Sequence, residues 1–82
     1  MPTPRDVEID RNYDFFQRNL AGYLVNHRGE YALLKNAAVV EFYPLPGEAY
    51  RAGLAIYGDE PFSIQEVEDR PAEMGMMSLA LN

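Results

Sequence analysis

A chain of 82 residues has room for one hydrophobic core, and with 48% apolar residues, 24% charged residues and no cysteine it must fold without disulfides, thiolate nucleophiles or zinc-thiolate sites. Seven Lys and Arg against thirteen Asp and Glu leave a formal charge of −6, which argues against a surface that follows phosphates, so nucleic acid is not an expected partner. No apolar run approaches the roughly 18 residues of a membrane span, and Met1-Pro2-Thr3-Pro4-Arg5 lacks a signal-peptide core, which together predict a cytoplasmic protein with no membrane partner.

Residues 1–9 carry two prolines and several charges without a period, and are read as a flexible leader. From there Tyr13, Phe16, Leu20, Tyr23 and Leu24 recur at steps of three and four, which predicts an amphipathic helix over about 11–27. Asp10 or Asn12 can cap its start, His27 and Arg28 suit the negative end of the helix dipole, and Gly29 can take the left-handed conformation that closes it. On this wheel Phe15 lies away from the apolar stripe and is expected to be exposed. Two β-prone runs follow, 30–35 and 38–43, separated by Asn36-Ala37, the length of a two-residue hairpin turn. Asn tolerates a positive φ but Ala does so poorly, which leaves a longer loop or a different register open.

Pro44-Leu45-Pro46 stops the second strand, and Pro46 suits the first turn of a second helix that runs to about Tyr57 with Gly58 as its cap. Ala49, Ala52, Gly53 and Ile56 share one stripe of this helix, flanked by Tyr50, Leu54 and Tyr57. The run 62–67 alternates as a third strand with Phe62 and Ile64 inward. Residues 68–82 form either an apolar tail or a fourth strand. The whole is one domain, 1–82, of the α+β class, predicted as a small mostly antiparallel sheet of three or four strands with two helices on one face. A right-handed crossover through the second helix places the third strand beside the first, giving the order 2-1-3.

Asn12-Tyr13-x-x-Phe16, Arg28-Gly29-Glu30-Tyr31-Ala32, Glu48-Ala49-x-x-Ala52-Gly53 and Gly58-Asp59-Glu60-Pro61-Phe62 resemble, over about residues 12–67, a family of small prokaryotic proteins classed only as a domain of unknown function. The resemblance implies the α-β-β-α-β fold and a protein partner, a protease-like one among the candidates. In that family the hairpin turn often looks like Asn-Gly, where this chain has Asn36-Ala37.

Residues that carry chemistry are sparse. His27 is the sole imidazole and could serve as a general base or metal ligand, but a helix C-terminus accounts for it and no second His or Cys exists to build a site. The acidic pairs Asp10 and Asp14, Asp59 and Glu60, and Glu66 and Glu68 fit solvated helix starts and turns better than a cation site. Ser63 and Ser78 lie in no nucleophile elbow, and no phosphate-binding loop occurs. Met74, Met76 and Met77 lack the His or Cys support of a soft-metal site. No cofactor or metal is therefore expected.

The expectation is a non-enzymatic protein-interaction module, either a homodimer or the subunit of a co-expressed pair. Its tentative contacts are Phe15, Met74, Met76, Met77, Leu79 and Leu81, where apolar surface is claimed by no stripe. The alternative is a small-ligand-binding or catalytic domain using His27 and nearby carboxylates.

Overall fold

The computed structural model describes residues 3–69. Its elements are α1 (Pro4–His27), β1 (Tyr31–Leu34), β2 (Val39–Tyr43), α2 (Pro46–Tyr57) and β3 (Ser63–Glu66). The sheet order is β2-β1-β3, with β1 antiparallel to both neighbours. The α+β class, the element order and the strand order all follow the sequence expectation.

Helix α1 starts seven residues earlier than its apolar period suggests, and most of the segment read as a leader is helical. Thr3 is extended, its hydroxyl accepts from the Asp6 amide at 3.1 Å, and the Asp6 carboxylate accepts from the Thr3 amide at 3.2 Å. This reciprocal capping box with Pro4 at the first helical position satisfies donors a helix start otherwise leaves unpaired. The other end closes as expected, with Gly29 at φ 85°.

The added turns change which residues face inward. Glu8, Asn12 and Phe16 are buried at successive steps of four, and Leu20, Tyr23 and Leu24 continue the line. Two of its three buried residues are polar, so counting apolar positions places the stripe wrongly. Tyr13, expected inside, is 51% exposed, while Phe15, expected outside, is half-buried against the core.

The β1–β2 connection is a two-residue turn. Lys35 and Ala38 exchange both backbone hydrogen bonds, at 2.9 and 3.1 Å, and the residues between them, Asn36 and Ala37, have φ of 54° and 58°. Such a turn matches strand twist but is unfavourable for an alanine, whose Cβ crowds the following carbonyl. Helix α1 holds it in place. Asn36 N–H donates to Glu8 Oε2 at 2.8 Å and Ala37 N–H donates to Asn12 Oδ1 at 2.7 Å. The Asn12 amide nitrogen faces Glu8 Oε2 at 3.0 Å, Ser63 Oγ at 3.0 Å and the Leu34 carbonyl at 3.3 Å. Only one orientation of the amide fits, with oxygen toward the turn and nitrogen toward the acceptors.

Strand β1 is buried on both faces, and its alternation divides the core in two. Ala32 and Leu34 pack with Phe16 and Val67 beneath α1, whereas Leu33 packs with Ala49 and Ile64 beneath α2. The helices therefore cover opposite faces of the sheet, correcting the expectation of two helices on one face. The continuous apolar run Tyr31-Ala32-Leu33-Leu34 is the sequence mark of a strand covered on both sides. Strand β2 lies at an edge, and Val40 is an extra residue between the partners of Leu33 and Leu34.

On the α2 face, a Cβ at Gly53 would lie 2.8 Å from Phe62 Cδ1 and nearer still to two other carbons of that ring. The ring sits over the bare glycine, with Tyr50 and Tyr57 at centroid distances of 6.1 and 6.2 Å.

Urea unfolding of three variants reads these contacts directly. Ala37→Gly relieves the left-handed alanine while keeping its N–H, and is expected to stabilise by about 1 kcal/mol. Asn12→Asp keeps the shape but turns the amide nitrogen into an oxygen facing three acceptors, and is expected to cost about 3 kcal/mol at neutral pH. Gly53→Ala improves helix propensity by about 1 kcal/mol, but overpacking against a ring flanked by two tyrosines outweighs that gain, for a net loss of about 1–2 kcal/mol.

Candidate functional site

The chemistry-bearing residues of the sequence do not converge. Asp14 pairs with Arg18 at 2.8 Å, Glu60 approaches Lys35 at 3.6 Å, and Glu68 pairs with Arg28 at 3.3 Å, each near a different cation. Ser63 is fully buried and bonded to Asn12. Among the described residues no group of three or more His, Asp or Glu side chains is placed to hold a metal ion. Nor is any helix among them long and apolar enough to cross a membrane. Phe15 belongs to the α1 side of the core. The other tentative contacts, Met74, Met76, Met77, Leu79 and Leu81, lie outside the described residues.

His27 does acquire a nearby carboxylate as partner, and it is none of the acids weighed above as cation pairs. The turn through Gly29 brings Glu30 back three residues, so that the carboxylate accepts from His27 Nδ1 at 2.7 Å. The imidazole lies flat on Phe42, with ring centroids 3.7 Å apart and planes 6° from parallel. Phe42 meets Tyr23 edge-on at 5.4 Å, and Tyr23 meets Phe16 at 5.5 Å, so the stack is rooted in the core. This fixes the ring and leaves Nε2 as the nitrogen available to a ligand. The sequence signal for the pair was the His-x-x-Glu spacing across a glycine turn.

A second cluster borders α2. Lys35, largely enclosed, donates to the Pro61 carbonyl at 2.6 Å and places its ammonium 5.1 Å from the Tyr57 ring centre. Beyond Tyr57 the helix is apolar on its outer side. Tyr50 is 38% exposed and Leu54 44%, while Leu45 and Ile56 are more exposed still. Ile56 was expected in the buried stripe. The actual buried line is Ala49 and Gly53 with Tyr57 beside it, because the close seat of Phe62 over Gly53 draws that line toward the helix's aromatic side.

No family model matches this chain, and neither a curated protein nor a solved structure matches it significantly.

Burial pushes the phenols of Tyr23 and Tyr43 above the usual tyrosine value of 10.0, and for Tyr43 the negative charge of Glu41 adds to it. The folded state then holds these protons to higher pH than the unfolded chain. Their contribution to stability is intact below the unfolded value and is lost as pH rises through the folded one. The urea midpoint is expected to fall from about pH 10 upward, and Tyr23→Phe should reduce the slope. A midpoint independent of pH in that range would contradict the burial of these phenols.

Proposed function

We propose that the chain is a non-enzymatic protein-interaction module of the cytoplasm, belonging with the small prokaryotic family its motifs resemble, and acting as a homodimer or as one subunit of a co-expressed pair. The observation that carries this reading is the outer face of α2, where Tyr50 and Leu54 stand exposed on a regular helix. Large apolar side chains left in water on a small domain gain roughly 25 cal/mol per Å² when a partner covers them. The helix is also electrically quiet, with Glu48 and Arg51 as its one acid and one base in a chain of charge −6. A polypeptide can approach there with little repulsion. A protease-like partner remains compatible with this surface.

A second reading rests on His27, whose imidazole is held between Glu30 and Phe42 with Nε2 unclaimed. That arrangement suits a small anionic or hydrogen-bonding ligand, or proton transfer to one.

The two readings part under two substitutions. Leu54→Glu is expected to abolish association of the full chain, with itself or with a polypeptide captured from the producing cell, while leaving the circular dichroism unchanged. His27→Ala is expected to leave association intact. Loss of association in the His27 variant alone would move the contact surface from α2 to His27, and identical behaviour of Leu54→Glu and the unaltered chain would dismiss the first reading and leave the second.

A further inference from the structure

Gly47, Tyr50, Arg51 and Leu54 stand at i, i+3, i+4 and i+7 of α2, which places them on one face of the helix, and all four are exposed. Ala49 and Gly53, on the other side, are the residues buried against the sheet. The exposed seam has an unusual composition for its length: one residue without a side chain, one bulky aliphatic, one aromatic and one cation. Arg51 has no carboxylate partner among the described residues, although acids outnumber bases in the chain by thirteen to seven. Its guanidinium folds back instead, with Nη1 3.5 Å from the position a Cβ on Gly47 would occupy.

This order of residues complements itself when the helix is reversed. In an antiparallel pair of α2 helices whose two-fold axis passes between positions 50 and 51, Gly47 of each copy faces Leu54 of the other. Tyr50 of each copy then faces Arg51 of the other. The leucine enters the space the glycine leaves, and the guanidinium moves from above Gly47 onto the face of a tyrosine, where a cation is attracted to the ring. Both contacts occur twice by symmetry, as an isologous interface requires. The pairing also brings together a segment in which one acid, Glu48, and one base, Arg51, cancel.

We propose that α2 is a homodimerisation helix, and that a second copy of this chain covers the Gly47, Tyr50, Arg51 and Leu54 seam in antiparallel fashion. This rests on the interaction-module reading and names its partner. Four seam residues per copy make a patch smaller than the roughly 800 Å² per partner of a standard interface, so the dimer is a weak, reversible one. Local concentration decides its population, and association shields Tyr50 and Leu54 from water.

The test uses the full chain and exploits its lack of cysteine. Sedimentation velocity between about 10 µM and 1 mM, the span in which weak association shows, should show a shift from monomer toward dimer. Leu54→Glu should abolish it, and so should Gly47→Met, which fills the receiving space at an exposed helical position and, with its better helix propensity, does not lower the urea midpoint. Arg51→Cys, beside the two-fold axis, should form an intermolecular disulfide on mild oxidation. Ala55→Cys should not, because at 1.5 Å per residue its two copies are separated by about 13 Å along the helices, beyond disulfide reach. A chain that stays monomeric at about 1 mM overturns the homodimer, as does a dimer indifferent to Gly47→Met or one that crosslinks equally through both positions. If the chain is monomeric yet Leu54→Glu abolishes capture of another polypeptide, the interaction-module reading stands and only its partner changes. If Leu54→Glu affects neither, both fall.

Discussion

The fold depends on one buried amide. Asn12 reaches from α1 into the space between β1, β3 and the hairpin turn, and each of its polar atoms has a partner there. Without it the Ala37 N–H would point into protein with no acceptor, and the Leu34 carbonyl and Ser63 hydroxyl would lose a donor. An unpaired buried polar group costs about 1–3 kcal/mol, and a domain of this size has only a modest total to draw on. Glu8 repeats the device one turn earlier, taking the Asn36 N–H and bracing Asn12. The helix thus reads the backbone of the turn rather than its side chains, and holds Ala37 in a conformation that alanine on its own avoids.

The three layers follow from that attachment. With α1 anchored at its polar end to the turn, its apolar half lies across Ala32, Leu34 and Phe42, and the other faces of β1 and β3 are left for α2. Because β1 is antiparallel to both edge strands, β2 and β3 run the same way, and α2 joins them as a crossover with β1 between. Gly53 then lets α2 sit close enough for Phe62 to cover the helix backbone. The packing that holds α2 turns Tyr50 and Leu54 outward, so the surface proposed for association is a consequence of how the helix meets the sheet.

Much of this was legible in the sequence, and what was missed has a physical cause. The bounds of α2 could be read from Pro46 and Gly58, and the end of α1 from Gly29, because these residues act through the backbone whatever surrounds them. The start of α1 was hidden by its buried face, where Glu8 and Asn12 are polar and produce no hydrophobic period. The signal that could have revealed it was local, namely Thr3-Pro4-x-Asp6. Phe15 and Tyr13 exchanged places for the same reason, since the stripe was counted from apolar residues alone. The layer arrangement needed β1 to be recognised as buried on both sides, which four consecutive apolar residues imply. The pairing of His27 with Glu30 came from spacing across a turn, whereas the stack on Phe42 joins residues far apart in sequence and no local pattern announces it.

Hydrogen exchange at the turn tests the central claim most directly. The two middle N–H groups of a two-residue hairpin turn usually face solvent and exchange at once, whereas in this fold they are committed to Glu8 and Asn12. Amide exchange followed by NMR should find Asn36 and Ala37 protected to the same degree as Leu33 and Leu34 of the central strand, and exchanging only through global unfolding. Rapid exchange at these two amides, with the strand protected, would show that α1 does not hold the turn and would contradict the dependence of the fold on Asn12.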